Sequence, residues 1–231
     1  MASEQSIARA AANGSYYTGL EPELGRHGYR AAKRIFDIVF SGAVIVVAAI
    51  PSAILCLAIR LESPGNPIYS QIRMGRIEKD GTMHPFKMYK FRSMYQDADE
   101  RLAELLDQNE VEGAMFKMKN DPRVTRIGRF IRKHSIDEFP QFVNVFLGQM
   151  SLVGPRPPLP REIPEYSDRD FRRLTVKPGL TGPWQVSGRS DLSFSDMVDL
   201  DLDYIKKRGL KYDLSLIFKT VSVVFSGEGA A

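Results

Sequence analysis

Hydrophobic residues dominate one stretch of the chain, residues 35–59, in which Asp37 is the only charged residue. As a straight helix this stretch would be about 37 Å long, which exceeds the roughly 30 Å thickness of the hydrocarbon core of a bilayer. The pattern therefore predicts a membrane helix. Pro51 lies well inside it, and a proline in a helix interior removes a backbone hydrogen bond and kinks the helix.

Positive charge flanks both ends of this apolar stretch. The flanking cations are Arg26, Arg30, Lys33 and Arg34 before it, and Arg60, Arg73 and Arg76 after it. A helix that crosses the membrane typically has its cations on one side. Cations on both sides favour a re-entrant helix that bends at Pro51 and leaves through the face by which it entered. A spanning helix and a buried helix of a soluble protein are the alternatives.

The rest of the chain combines a short alternating pattern with several amphipathic ones. An extended segment from Pro67, a turn at residues 79–81 and a second extended segment at 85–91 predict a β-hairpin. Apolar periodicity predicts helices over residues 97–110 (ended by Gly113), 126–132, 139–147, 195–207 and 213–225. The last helix suits either a membrane surface or the protein core. The predicted fold class is α/β, mostly α with a small β-hairpin, a membrane-associated catalytic domain with interfacial amphipathic helices.

The chain has 231 residues, enough for one domain with an anchor. We divide it into a flexible or interfacial leader (residues 1–27), a re-entrant membrane helix region (28–62) and a cytoplasmic catalytic domain (63–231). The apolar stretch begins too late for a secretory signal, and Cys56 is the only cysteine, so no intramolecular disulfide forms. The net charge of +4 suits acidic partners without choosing among them.

Several common functional motifs are missing from the sequence. It contains no P-loop, no dinucleotide-binding glycine fingerprint, no G-x-S-x-G motif and no H-E-x-x-H or C-x-x-C pair. No nucleic-acid recognition module is present either, so binding of nucleic acid is not expected.

The strongest candidate for chemistry is the adjacent pair of acids Asp137 and Glu138, which follows a run of cations. One interpretation is structural: Ser135 and Glu138 match a helix capping box. That helix would place Pro140 at a position where a backbone N–H is needed. If the helix starts at Pro140 instead, both acids lie just outside its N-terminus, where its N–H groups and dipole favour an anion. We favour this second, functional interpretation.

Basic residues near these acids are candidates for binding phosphate. Arg126, Arg129 and Arg132 have i, i+3 spacing and share one helical face, which suits solvent, anionic lipid headgroups or the reacting phosphate. Arg92 has the geometry for a two-pronged phosphate contact, and Arg156 lies between two prolines that make its backbone rigid.

Ordered motifs from about Lys33 to Gly229 resemble those of the bacterial sugar transferase family, the monotopic phosphoglycosyl transferases. They include K-R-x-F-D, K-F-R-S-M, D-P-R-V-T, S-I-D-E-F-P-Q, M-S-L-V-G-P-R-P, K-P-G-L-T-G-P-W-Q-V-S-G-R-S and K-T-V-x-V-V-F. The resemblance implies transfer of a sugar 1-phosphate from a UDP-sugar to undecaprenyl phosphate, with release of UMP. The site is implied to lie on the cytoplasmic face of the bacterial inner membrane, in a monotopic protein that initiates exopolysaccharide, capsule or O-antigen synthesis.

The resemblance also implies roles for particular residues. Asp137 would be the nucleophile that forms an aspartyl phosphosugar, and Glu138, together with Asp137, would hold Mg²⁺. Lys90, Arg92 and Arg156 would bind phosphate or nucleotide. Carboxylate attack on phosphorus agrees with general chemistry, because metal and arginines neutralise the developing charge.

Further expectations depend on details of the same match. The P-G-L-T-G-P-W loop favours UDP-galactose or UDP-glucose as the donor, and Trp184 is expected to touch the substrate, the lipid or the core. The chain resembles the short form of the family. One departure is Ile50, which precedes Pro51 where many members have serine. A homo-oligomer and downstream glycosyltransferases are possible partners. An idle membrane adaptor and a phospholipid-modifying enzyme are the alternative functions.

Overall fold

The computed structural model describes residues 4–12, 20, 22–105, 118, 121–188 and 192–226. Within these ranges the protein is mostly helical and contains two small sheets. The helices are α1 (Glu4–Ala12), α2 (His27–Glu62), α3 (Ala98–Leu105), α4 (Arg126–Lys133), α5 (Gln141–Leu147), α6 (Asp168–Phe171), α7 (Phe194–Lys207) and α8 (Leu210–Ser226). The strands are β1 (Ile68–Ile77), β2 (Met83–Phe91), β3 (Ser151–Val153) and β4 (Gly179–Thr181).

Helix α2 contains the apolar stretch that the sequence predicts as a membrane helix. It is a single element of 36 residues with Pro51 in its interior, and it is long and apolar enough to cross a membrane. A long apolar helix near the N-terminus is therefore confirmed. The bend at Pro51 and the re-entrant topology stay predictions.

The predicted β-hairpin is confirmed. Strands β1 and β2 pair in antiparallel fashion, with Ile68 opposite Phe91, and a bulge interrupts the pairing between Met74 and Ile77. Gly81 adopts a left-handed conformation with φ of 78° in the predicted turn, a conformation that favours glycine.

The second sheet was not predicted from the sequence. It pairs β3 with β4 in parallel, through Ser151 and Gly179. A Cβ atom on Gly179 would lie 2.0 Å from the backbone nitrogen of Gly154, so only glycine permits this close approach. Each strand has three residues, too few for alternation of apolar and polar positions to be recognised.

Most predicted helices are present with shifted ends. Helix α8 begins at Leu210, earlier than predicted, and α3 is described only to Leu105, so its predicted end at Gly113 lies outside the described residues. Part of the predicted leader forms α1, which packs Ala8 and Ala11 against the β-hairpin. The leader was predicted to be flexible or interfacial because its periodicity is weak.

The largest buried cluster lies where the hairpin, α5, β3, α7 and α8 meet. A separate cluster joins α2 to the hairpin and α4 through Ile59, Phe91 and Ile131. The end of the apolar helix is therefore part of the packing that surrounds β2 and α4.

Candidate functional site

Asp137 and Glu138 lie in a short 3-10 turn, Ile136–Glu138, between α4 and α5. Ser135, just before this turn, has a left-handed backbone with φ of 53° and makes no side-chain capping hydrogen bond. Helix α5 follows after Pro140. The capping box is therefore not formed, and both acids precede α5 as the functional interpretation predicted.

Lys90, at the end of β2, connects the hairpin to this turn. Its Nζ atom donates a hydrogen bond of 2.8 Å to Oε1 of Glu138 and lies 3.9 Å from Oδ2 of Asp137. The Asp137 side chain is 13% exposed and that of Glu138 is 38% exposed. The structure thus brings together three of the residues that the sequence analysis selected, although they come from segments almost fifty positions apart.

The two carboxyl groups titrate differently. Burial, and then the charge of Glu138, raise the pKa of Asp137 to about 6, although Lys90 and Arg132 act in the opposite direction. For Glu138 the loss of surrounding water opposes ionisation. The charges of Lys90 and Arg156 and hydrogen bonds from Lys90 and Gln141 outweigh this effect, so the pKa of Glu138 is lowered. Both groups are therefore ionised at neutral pH, but the pKa of Asp137 lies much closer to neutral pH than that of Glu138.

Arg156 is the second cation of the site. It acts electrostatically on Glu138, and its guanidinium carbon lies 6.0 Å from the centroid of the Trp184 ring. The carbonyl of neighbouring Pro157 accepts a hydrogen bond of 3.0 Å from Arg73, which ties this loop to β1. Arg156 and Trp184 were selected separately from the sequence, and the structure shows that they belong to one cluster.

The indole Nε1 of Trp184 is buried and has no hydrogen-bond partner among the described residues. A buried donor without a partner is costly, because it has lost its hydrogen bonds to water. Trp184 thus holds an unused donor next to Arg156.

Arg92 has a different set of contacts from those expected of a phosphate-binding residue. It is 8% exposed, and its guanidinium donates to the carbonyls of Pro64 (2.7 Å), Ile59 (3.5 Å) and Ser63. These groups lie at and beyond the C-terminal end of α2. Arg92 therefore joins the end of α2 to β2, two residues from Lys90.

Residues at the start of α2 hold the other elements that surround the site. Lys33 forms a 2.6 Å ion pair with Asp213, and Arg34 donates to the carbonyls of Val145 and Phe146, at the end of α5. Asp37 accepts hydrogen bonds from the side chain of Ser151 (2.8 Å) and the backbone of Leu152 (3.0 Å). The K-R-x-F-D motif therefore attaches the start of α2 to α5, β3 and α8.

The other end of α2 supports the helix that precedes the acids. Oε1 of Glu62 accepts a hydrogen bond of 2.8 Å from the backbone N–H of Arg126, and Oε2 accepts one of 3.1 Å from that of Ile127. Thr125 caps the same helix through Gly128. Glu62 and Gln141 were not selected from the sequence, because their roles depend on contacts that no local pattern records.

Of the three arginines that share one face of α4, one interacts with the acids of the site. Arg132 acts on Asp137, whereas Arg126 and Arg129 are exposed. Phe130, on the same helix, is 58% exposed and contacts His134. Other large apolar side chains are exposed on α5 and α8, among them Val143, Phe146, Leu147, Leu214, Phe218 and Val221.

No group of three or more metal-ligating His, Cys, Asp or Glu side chains occurs among the described residues. Mg²⁺ is commonly bound by one or two carboxylates together with substrate phosphates and water. The pair formed by Asp137 and Glu138 fits that donor set.

The sequence is similar to those of known proteins over most of its length. Residues 28–227 match the family described as bacterial sugar transferase. A galactosyl transferase, CpsE, of Streptococcus agalactiae serotype III is 44% identical over 207 residues, which cover 89% of this chain and 44% of that protein. An undecaprenyl-phosphate galactose phosphotransferase of Salmonella typhimurium is 42% identical over 216 residues, which cover 91% of this chain and 44% of that protein.

A shorter relative is matched over nearly its whole length. The exopolysaccharide production protein ExoY of Rhizobium meliloti is 36% identical over 203 residues, which cover 86% of this chain and 88% of that protein. The chain spans less than half the length of the first two relatives and most of the third.

Proposed function

Because the chain belongs to the bacterial sugar transferase family, we propose that it transfers hexose 1-phosphate from a UDP-hexose to undecaprenyl phosphate and releases UMP. The hexose is galactose or glucose, and the product starts the assembly of a surface polysaccharide. The name of the Salmonella relative, which specifies galactose and undecaprenyl phosphate, supports this choice of substrates. The reaction takes place at the cytoplasmic face of the inner membrane.

The observation that carries the proposal is the arrangement of Asp137, Glu138 and Lys90. The carboxylate of Asp137 is largely buried and has a pKa of about 6, and the carboxylate of neighbouring Glu138 is paired with Lys90. Poorly solvated carboxylates are stronger nucleophiles than well-solvated ones, and the flanking cations offset the repulsion of an anionic diphosphate.

The first chemical step uses Asp137 as the nucleophile. An Oδ atom of Asp137 bonds to the β-phosphorus of the UDP-hexose, and the bond from that phosphorus to the bridging oxygen breaks. UMP leaves with the electron pair, and an aspartyl phosphosugar remains. In the second step an oxygen of undecaprenyl phosphate bonds to the same phosphorus, and the carboxylate of Asp137 leaves. A soluble donor and a lipid acceptor thereby use one site in turn.

The remaining residues bind and orient the substrates. Arg156 and Trp184 form the surface for the nucleotide part of the donor, where a guanidinium contacts phosphate and an indole N–H donates a hydrogen bond. Lys90 compensates the negative charge of both carboxylates. Glu138, with Asp137, would hold Mg²⁺, which when bound supplies positive charge against the diphosphate.

The contacts of α2 support the proposed re-entrant topology. Lys33, Arg34 and Asp37 near its start, and Ile59 and Glu62 near its end, all contact the same catalytic domain. The buried residues Ser41 and Ile59 are about 18 positions apart, which corresponds to roughly 27 Å of straight helix. This is less than the roughly 30 Å needed to place the two ends on opposite sides of a bilayer.

The test of the proposed reaction is release of UMP by the purified chain in detergent with Mg²⁺, undecaprenyl phosphate and a panel of UDP-sugars. We expect release with UDP-galactose or UDP-glucose, and none from Asp137→Asn. Exchange of labelled UMP into the UDP-hexose without the lipid acceptor tests the covalent step. Transfer without exchange would show direct attack by the lipid phosphate, and turnover of no UDP-sugar by folded protein would refute the proposal.

A further inference from the structure

Four cations converge at the start of α2, away from the catalytic acids. Arg30 and Arg34 lie one turn apart on α2, and both of them, together with Arg76 in the bulge of β1, act electrostatically on Lys177 in the segment before β4. We call these four residues the cationic cluster. Asp37 is a carboxylate that also acts electrostatically on Lys177.

Backbone contacts fix the position of Lys177 in this cluster. On one side, the carbonyl of Pro178 accepts a hydrogen bond of 2.8 Å from Ser151, whose side chain donates to Asp37. On the other side, the carbonyl of Thr175 accepts a hydrogen bond of 2.8 Å from the backbone N–H of Glu23. The carbonyl of the next residue, Leu24, accepts a hydrogen bond from Arg30 of α2. Lys177 is thus held between two segments that both contact the start of α2.

The positive charge of the cluster is only partly neutralised by the protein. Both oxygens of Asp37 accept hydrogen bonds from β3, and Glu78 pairs with Arg76 at 2.9 Å. The half-buried ammonium of Lys177 makes no hydrogen bond or ion pair with the described residues, and Nε of Arg76 is buried without a partner among them.

The pKa of Lys177 agrees with an excess of positive charge. Burial lowers this pKa most, and Arg34, Arg76 and Arg30 lower it further, whereas Asp37 acts in the opposite direction. Half-buried cations without sufficient counter-charge are unfavourable, and an anion bound among them would relieve the cost.

The location of the cluster separates it from the catalytic site. Arg34 binds the last carbonyls of α5, whereas Asp137 and Glu138 precede its first residue, so the length of this helix, about 10 Å, lies between them. The side chains of Ile35 and Val39, which follow directly on α2, are 64% and 65% exposed. Exposed apolar residues of α2 therefore begin directly after Arg34, a member of the cluster.

We propose that the cationic cluster is a binding site for the phosphate of an anionic phospholipid headgroup, which accepts hydrogen bonds from Lys177 and Arg76 while its acyl chains cover the apolar side chains of α2. The apolar side chains next to the cluster favour a lipid over a free phosphate. The inference depends on the proposed membrane location of α2 and does not depend on the transfer reaction.

The test measures lipid binding to the full chain in detergent micelles by native mass spectrometry, with phosphatidylglycerol and phosphatidylcholine as the probes. We expect the unmodified chain to retain phosphatidylglycerol preferentially. Lys177→Gln should weaken its binding about fivefold, since a cation near an anionic lipid contributes about that factor. Lys177→Arg, which keeps the charge, should retain it. The control is Lys79→Gln, which removes an exposed lysine from the hairpin turn.

Equal retention of both lipids, or equal losses in Lys177→Gln and Lys79→Gln, would overturn the proposal. Displacement of phosphatidylglycerol by inorganic phosphate or by a short-chain prenyl phosphate at equal concentration would also overturn it, because the site would then take phosphate from another source. The same preparations are assayed for UMP release. Lipid selectivity without UMP release would support the lipid site and refute the transfer reaction, whereas UMP release without selectivity would refute the lipid site alone.

Discussion

The ammonium of Lys90 lies 3.9 Å from the carboxylate of Asp137, beyond hydrogen-bonding distance but close enough for a substantial charge interaction. The same ammonium is hydrogen-bonded to Glu138 at 2.8 Å. Lys90 therefore favours the ionised form of Asp137, against the effect of burial, without forming a hydrogen bond to its oxygen atoms.

The dependence of the first half-reaction on pH tests this relationship. Because the pKa of Asp137 is about 6, UMP release should fall as the pH drops through that value and the carboxylate becomes protonated. Lys90 lowers this pKa, so Lys90→Gln should move the acid side of the profile upward by about one pH unit. The measurement is kcat/KM for the UDP-hexose between pH 5 and pH 8.

The control for this experiment is Lys87→Gln, which removes an exposed lysine from the same strand. Its profile should match that of the unmodified chain. A profile for Lys90→Gln that is unchanged or moves to lower pH would contradict the role assigned to Lys90.

The raised pKa of Asp137 also predicts that this residue destabilises the protein. Between about pH 4, where an unfolded aspartate titrates, and about pH 6, the folded state binds more protons than the unfolded state, so stability falls as pH rises. At pH 7.5 the full cost, on the order of 3 kcal/mol, is present. Asp137→Asn should therefore raise Tm at pH 7.5, and the gain should shrink at pH 4.5, while UMP release is lost at both.

Glu138→Gln is the matched comparison. The pKa of Glu138 is lowered, so its ionised form stabilises the folded state at neutral pH, and this contribution is lost as pH falls through the lowered pKa. Its replacement by glutamine should lower Tm at pH 7.5. If both variants changed Tm in the same direction, the opposite pKa shifts would not describe the site.

Asp37→Ala tests the attachment of α2 to the catalytic domain. The substitution leaves two buried donors, Ser151 and Leu152, without their acceptor, and each unsatisfied group costs about 1–3 kcal/mol. We expect a clear decrease in Tm in detergent and a loss of activity that follows the loss of folded protein. Glu165→Gln, at an exposed position, should leave Tm unchanged.

Arg156→Lys tests the proposed nucleotide surface. Lysine keeps the charge but has no planar guanidinium to stack on Trp184 or to contact phosphate in two-pronged fashion. KM for the UDP-hexose should rise about tenfold, with a smaller change in kcat. Arg172→Lys, at an exposed arginine, is the control, and an equal effect of both changes would exclude a specific role for Arg156.

The topology of α2 can be tested with accessibility tags. Tags at residue 5 and residue 228 of the chain in bacterial cells should both be on the cytoplasmic side if α2 is re-entrant. Tags on opposite sides would show that α2 spans the membrane.

The sequence predicted those parts of the structure that depend on local patterns. The apolar stretch became α2, the alternation before and after residues 79–81 became the hairpin, and the helix start proposed at Pro140 agrees with α5, which begins at Gln141. Asp137 and Glu138 were recognised because two adjacent acids followed several cations and conflicted with an ordinary helix cap.

Features that depend on distant contacts were not predictable in the same way. Glu62 looked like an ordinary charge after an apolar helix, yet it caps α4, which is more than sixty residues later in the chain. Arg92 looked like a phosphate-binding residue because guanidinium groups suit phosphate, but the same group also suits a cluster of carbonyl oxygens. The local sequence does not distinguish these partners.

The attachment of α2 has a consequence for attempts to obtain a soluble fragment. Deletion of residues 27–62 would remove the side chains that satisfy the end of α5, the start of α4 and the start of β3, and would take the Ile59 carbonyl away from Arg92. The apolar helix is therefore an integral part of the fold that holds Asp137 and Glu138, and truncation after it should yield an unfolded chain. Solubility is better sought by replacing exposed apolar residues in the middle of the helix while both anchored ends are kept.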